Sequence, residues 1–549
     1  MEKGTQRIPI TNPFSKGIID DVGRNKIPPQ FSGYNRNVRI QNASITLRLP
    51  NKLVSSWSGK IQGITFNSNI RFIRDGVFCT MTPYFPYTVT PYVVSPDPVG
   101  WLTGIFPNIS MYNFINYGKY TIILTGETRP FVFDGTILYE IDTSEIVGDD
   151  NPINPLNPYP LIWATIQWFT FIAGNTTSTD STLYISEPIE PDSFLNPTAS
   201  RNCYRWLGQE DTTNAPLSKL MSSKIQGMIG YLNTLYIFCD KTIEILSQAS
   251  LSTVWWVPIF TTLPIGDGDT VASHRSIVAA GNIIFYLTKN RRIKTINYIP
   301  WIENQKIGEL SDRAQQSING FMERLDEDQS DSFGIYSRGD NTVRWHVKEK
   351  WSAVNNLCIV YDITNDWFFI DDNKQYFCMT QANVVGIDQL FGWNTTDGNV
   401  YQDDALNGEE EFVREFDTPN ISFWNPTIKK KFRGIELAGW LNIFASPTLE
   451  VYVDGLLVYS KLFTYWNIDP NQLSNVNIWW PNAVDNPSGS LFYPFELILT
   501  QGNLREKGKR IRVRLRWGSW DNIQRKQLYF DYLAFMVKAT NNYQLNDKY

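Results

Sequence analysis

Residues 281–297 read GNIIFYLTKNRRIKTIN, and the fold class turns on this stretch. Ile283, Phe285 and Leu287 alternate with their neighbours, Lys289-Asn290-Arg291 makes a polar corner, and Ile293 and Ile296 resume the apolar pattern. Period-two residues, a turn, and period-two residues again predict a β-hairpin.

The same unit recurs on both sides of it. YGKYTIILTGETRPFVFDGTILYEI (117–141) turns at Gly126 and at Asp134-Gly135, and GYLNTLYIFCDKTIEILS (230–247) near Asp240-Lys241. DSFGIYSRGDNTVRWHV (331–347) turns at Gly339-Asp340-Asn341, NLCIVYDITNDWFFID (356–371) at Thr364-Asn365-Asp366, and QLFGWNTTDGNVYQ (389–402) at Asp397-Gly398. Hairpins in series without helical periodicity predict either a sandwich or a radial array of small sheets, and the long run of units favours an irregular β-propeller over 57–428. The uneven spacing excludes a regular repeat such as the WD type. Two stretches interrupt the pattern. Residues 303–328 hold helix formers, with Ser311-Asp312 as a candidate cap, and the Pro/Asn-rich 147–160 reads as a connector between blades.

From about Lys429 the strands lengthen and alternate cleanly. KKKFRGIELAGW, then TLEVYVDGLLVYSKLF with a tight Asp454-Gly455 turn, then RIRVRLRWGSW and QLYFDYLAFMV predict a C-terminal antiparallel β-sandwich over 429–549. The expected class is all-β, and composition agrees. Of 549 residues 14% are aromatic and only 19% charged, a mix suited to pleated, half-buried surfaces.

Chemistry is sparse. The five cysteines (Cys79, Cys203, Cys239, Cys358, Cys378) are scattered and never in C-x-x-C spacing, which reads as buried free thiols and not as a zinc or disulfide framework. The start of the chain has no apolar core of signal-peptide length and no run approaches about 18 apolar residues, so a soluble protein made in a reducing compartment is expected. His274 and His346 are the only histidines, and each sits in a strand-like setting without a nucleophile or ligand cluster beside it. Asp267 and Asp269 in GDGDTV alternate as in a calcium loop but lack its other ligands, so turn chemistry accounts for them. No phosphate-binding glycine motif occurs, and Glu409-Glu410-Glu411 reads as a solvated acidic loop. No enzyme, cofactor or metal is expected.

A net charge of −6 argues against a dedicated DNA binder. Two basic stretches stand out locally: Lys429-Lys430-Lys431, and Arg510, Arg512, Arg514 and Arg516 alternating with Ile511, Val513 and Leu515. A strand with one wet, basic face accounts for the second, and a docking surface formed by both stretches is the alternative.

Several segments resemble a known family. TLYISEPIEPDSFLN (182–196) resembles its "Ser-Glu-Pro … Asp-Ser-Phe" segment, and IQGMIGYLNTLYIFCDKTIEIL (225–246) and DTVASHRSIVAAGNIIFYLTKNRRIKTI (269–296) resemble the blades that follow. IGELSDRAQQSIN (307–319) is similar to its "Ile-Ser-Asp … Ile" helix, and NLCIVYDITNDWFFID to its "Val-Tyr-Asp … Trp" hairpin. GIIDDVGRNKIPPQFSGYNRNVRIQNASITLRLP (17–50) resembles its N-terminal arm, which places an arm over 1–56 leading into the first blade. The family is the tail nozzle, or packaged-DNA stabilisation, proteins of short-tailed phages. The resemblance implies a non-enzymatic virion tail protein, assembled in the host cytoplasm into a closed ring, expected to be a hexamer. It implies as partners a portal-adaptor protein, tail fibres or tailspikes, and double-stranded DNA passing without sequence-specific binding. Two other classes fit the residues. One is a carbohydrate-binding tail protein using Trp440, Trp479, Trp480, Trp517 and Trp520. The other is a propeller glycoside hydrolase whose acids meet only in space.

Overall fold

The computed structural model describes residues 5–11, 16–18, 27, 31–41, 44–56, 59–94, 111–126, 131–140, 162–166, 169–173, 182–185, 218–247, 260–297, 307–310, 318–372, 374–394, 398–405, 413–423, 429–442, 447–462, 492–499, 507–517 and 526–539. The hairpin at 281–297 forms as its pattern predicts. Ile283–Leu287 pairs antiparallel with Ile293–Asn297 in the register Leu287↔Ile293, and Arg291 takes the turn position at φ 58°. It is buried on both faces. Phe285, Leu287 and Ile293 pack with Val343, Trp345 and Ile359 of the next hairpin, while Ile284, Tyr286 and Ile296 pack with Tyr236, Phe238 and Ile243 of the preceding one.

That two-sided burial explains the architecture. Among the described residues there are seven four-stranded antiparallel sheets, six of them meanders in chain order, with strands between 61 and 92, 113 and 140, 162 and 220, 225 and 264, 278 and 309, 333 and 372, and 376 and 402. Their first strands touch in succession. Ile61–Asn67 meets Asn113–Tyr117, which meets Ile162–Ile166, which meets Ile225–Tyr231. The 3-10 turn His274–Ser276, which leads into the fifth sheet, bridges Ile225–Tyr231 to Phe333–Ser337. Phe333–Ser337 then meets Tyr376–Val384, which returns to Ile61–Asn67. The first strands thus close a ring of contacts in which each small sheet is one blade, and the all-β class expected from the hairpins is observed. Close approach near the axis needs small residues: a Cβ on Gly63 would lie 2.6 Å from the Phe114 ring and from the Tyr112 carbonyl. The seventh blade draws its outer strand, Lys52–Ser55, from the N-terminal part of the chain, where it pairs with Val400–Gln402.

The sandwich departs from its expected limits. One sheet combines Lys430–Asn442, Phe492–Leu499, Lys507–Gly508 and Lys526–Ala539 with three strands from the N-terminal region, Thr5–Thr11, Val38–Gln41 and Ser44–Leu47. The other runs Tyr34–Arg36, Arg414–Asp417, Ile511–Trp517, Thr448–Val453, Leu456–Leu462. Residues 1–56 are thus not an arm alone, and the sandwich is not confined to 429–549, because strands from both ends of the chain complete it. A single core (Val38, Ile40, Phe432, Val451, Val513, Phe535 and neighbours) lies between the sheets and extends to Cys358, Val360 and Phe369 of the sixth blade. Asp454 (φ 51°) and Gly455 (φ 88°) form the predicted hairpin turn between Thr448–Val453 and Leu456–Leu462.

The α-helix found near the expected one is a single turn, Asn319–Met322, with Ile318 at its N-cap position. Ser311, Asp312 and the 147–160 connector lie outside the described residues.

Candidate functional site

Both histidines are built into the ring. His274 sits in the turn before the fifth blade, where its Nδ1 accepts from the Met228 amide at 3.2 Å. Burial, with Arg275 beside it, pushes its pKa down to about 4, so it is neutral at physiological pH. His346 lies parallel to the Phe333 ring, centroids 4.6 Å apart, and edge-on to Tyr376. Burial and then the Lys374 and Arg344 charges lower its pKa to about 3. Cys79, Cys239, Cys358 and Cys378 are buried free thiols, raised by burial (Cys378 to about 12) and so held in the inert thiol form. Cys203 lies outside the described residues, as do Glu409, Glu410 and Glu411. The GDGDTV loop is a turn held by its own chain: Asp269 pairs with Lys294 at 2.7 Å and Asn290 donates to the Asp267 carbonyl at 2.6 Å.

The basic strand faces acidic neighbours of the same sheet. Arg512 and Arg514 both reach the buried Asp417, at 2.9 and 2.7 Å, and Arg516 reaches Glu415 at 3.3 Å. Both Arg512 and Arg514 also lie over the Tyr452 ring. Burial alone would lower the Arg514 pKa, but the hydrogen bond and charge of Asp417 raise it. Arg510 donates its backbone N–H to Asp454 at 2.9 Å. Lys430 is buried, with its ammonium 3.5 Å from the Lys509 carbonyl, whereas Lys429 is exposed and Lys431 half-buried. The register pairs Lys430 with Gly508 and Lys431 with Lys507, in the other sheet from the arginine strand Ile511–Trp517. The alternation thus serves an internal arginine–carboxylate ladder, and little of it is left as free positive surface. Of the tryptophans named as sugar platforms, Trp517 is fully buried in the sandwich core. The side chains of Trp440, Trp479, Trp480 and Trp520 lie outside the described residues.

Two of the protein's cavities hold charged side chains. One, of about 540 Å3, lies where the sixth and seventh blades meet the N-terminal strands. Arg344 reaches Asp403 at 2.7 Å, Asp340 at 2.5 Å and Asp404 at 3.1 Å. The buried Lys374 ammonium pairs with Asp403, donates to Asn51 at 3.0 Å and lies 3.9 Å from Asp404. Arg39 bridges from its N-terminal strand to Asp371 of the sixth blade through both Nη atoms, at 2.7 and 2.5 Å, and Arg36 pairs with Asp372. Burial alone would raise Asp371, but Arg39 holds it below the usual carboxylate range. Cations thus occupy the space among the carboxylates, and no metal-ligating cluster occurs among the described residues.

The other cavity, of about 390 Å3, lies on the axis of the ring. Ile64, Phe114, Ala164, Met228, Arg275, Phe333 and Met379 line it, one from each blade or the turn leading into it. Arg275 donates to the carbonyls of Phe377 (3.0 Å) and Asp331 (3.1 Å) and lies over the Phe377 ring, 4.8 Å from its centroid. Neither Arg275 nor the Lys374–Asp403–Arg344 cluster was singled out from the sequence. Their partners are up to about a hundred residues away, and no local pattern marks them.

No protein-family model matches this chain, and no curated protein matches its sequence. Among solved structures it is similar to the computationally designed Ika8 protein, with a TM-score of 0.36 and 11% identity over 64% of this chain and 99% of that one. It is also similar to PorZ, a surface component of the type-IX secretion system of Porphyromonas gingivalis (TM-score 0.35, 10% identity, 76% and 47% covered). A third likeness is to the N-terminal domain of Nup159 (0.36, 7%, 67% and 98%). Likenesses of this size carry no functional argument.

Proposed function

We propose that this chain is a structural virion protein of a short-tailed phage, a subunit of the tail nozzle ring that extends the portal channel, retains packaged DNA and lets it pass on ejection. The observation that carries this reading is the order of four of the quoted motifs along the chain. TLYI (182–185) is the third strand of the third blade, 225–246 builds the first three strands of the fourth, and 278–296 those of the fifth. NLCIVYDITNDWFFID then forms the closing hairpin of the sixth.

The physical requirements of a nozzle agree with such a subunit. A conduit under load needs rigidity, and here the ring and the sandwich share a core through Cys358, Val360 and Phe369. The axial cavity of about 390 Å3 has the capacity of a small-molecule site and not of a duplex. DNA would therefore pass between copies arranged around a common axis, and a net charge of −6 disfavours sticking to phosphate. Cyclic assembly, expected to be sixfold, requires two different complementary patches per subunit. The partners in this reading are a portal-adaptor protein and tail fibres or tailspikes. The reading gives the chain no catalytic role.

Genome retention tests it. Particles assembled without this protein should fill with DNA and then lose it, read as nuclease-sensitive DNA after packaging. Particles that lack it and still retain their genomes would rule the proposal out.

A further inference from the structure

We propose that the axial cavity binds a small organic anion, an apolar body bearing one carboxylate, with Arg275 as its counter-ion. The inference is independent of the nozzle reading, since it rests on the charge and shape of one blade ring alone.

Its capacity, about 390 Å3, falls in the range of small-molecule sites. Ile64, Phe114, Met228, Phe333 and Met379 contribute apolar side chains of five different blades beside polar backbone groups, and no carboxylate lines the space. His274 adds no charge, because its Nδ1 accepts from the Met228 amide and burial keeps the ring neutral. Arg275 is therefore the one charged side chain among the lining residues. It is fixed in place by the Phe377 and Asp331 carbonyls and the Phe377 ring, yet its Nε–H has no hydrogen-bond partner and no described carboxylate comes within ion-pair distance. Asp331 acts on it only at longer range.

Carbonyl dipoles satisfy donors but do not neutralise a charge. A half-buried cation without a counter-ion is less favourable than a paired one, and the same fold pairs the more deeply buried Arg344 with Asp340, Asp403 and Asp404. The contrast points to an anion supplied from outside. Apolar walls favour one with an apolar body over bare phosphate, whose remaining oxygens would find few donors. A guanidinium suits a carboxylate, which it can engage through more than one N–H.

Calorimetric titration of the full chain tests this with benzoate, its neutral analogue benzamide, and inorganic phosphate as probes. Benzoate should bind at least about tenfold more tightly than either of the others. Arg275→Met should lose benzoate by about tenfold or more, and Arg275→Lys, which keeps the charge without the guanidinium fork, should show an intermediate loss. Met379→Trp, which fills the cavity and keeps Arg275, should also abolish binding; it carries the test if Arg275→Met does not fold. Equal binding of benzamide, unchanged binding by either Arg275→Met or Met379→Trp, or no benzoate binding at roughly 10 mM would overturn the proposal.

Discussion

The blade ring and the sandwich are built from similar alternating strands, yet they use alternation differently. In the sandwich, Ile511–Trp517 alternates strictly. Ile511, Val513, Leu515 and Trp517 are buried, and Arg512, Arg514 and Arg516 point to the acidic face of the sheet. In the ring, Thr342–Val347 and Leu357–Asp362 are buried along their whole length, because each blade has a neighbour on both sides. A sheet with one partner needs one apolar face, and a blade needs two. Polar residues of the ring must therefore find partners inside it, as Arg344, Lys374 and Asp403 do, whereas the arginines of Ile511–Trp517 pair across one face of their sheet, with Arg516 about half exposed.

This contrast predicts a gradient of sensitivity. Lys374→Met removes one of the two cations on the buried Asp403 carboxylate, leaving Arg344 at 2.7 Å, and should cost up to about 3 kcal/mol of unfolding free energy. Urea denaturation reads it, and the double variant Lys374→Met/Asp403→Leu should recover much of the loss. A double variant no more stable than the single one would break the claim that the charge, not the volume, sets the cost.

A second effect comes from His346. Its pKa falls from about 6.5 unfolded to about 3 in the ring, so the unfolded chain binds the extra proton and stability is lost as pH drops below about 6.5. Between pH 6.5 and 4 the loss from this residue should reach up to about 3 kcal/mol. His346→Phe, which keeps a ring against Phe333, should flatten the melting temperature over that window. Below about pH 4 carboxylates such as Asp371, held low by Arg39, add their own loss, since their stabilisation disappears on protonation. An unchanged acid profile in His346→Phe would place the sensitivity elsewhere.

The smallest effect belongs to the wet face. Arg516 is about half exposed and its pair with Glu415 spans 3.3 Å, so Arg516→Ala should change stability by less than about 0.5 kcal/mol. A loss above roughly 1 kcal/mol would mean that the ladder is not the peripheral pair it looks like.

How far the sequence could be read follows from the same contrast. The hairpins at 230–247 and 281–297 and the Asp454-Gly455 turn were legible because turn chemistry and period two are local. Strand Lys52–Ser55 closing the seventh blade, and Thr5–Thr11 pairing with Lys526–Ala539, were not. Pairing across hundreds of residues leaves no local trace, and a short strand such as KLVS matches many edges. The arginine stripe at 510–516 was legible as a wet face, but its acidic partners come from Arg414–Asp417 and Thr448–Val453. The axial and junction charges were invisible for the same reason: Arg275 and Arg344 acquire meaning only when blades converge.

The central claim is that these blades are architecture for a ring of subunits. Mass photometry of the purified chain, alone and with the portal-adaptor protein that the proposed function implies, tests it most directly. The account predicts a closed oligomer in at least one condition, sixfold by the resemblance, and monomers in both would contradict it.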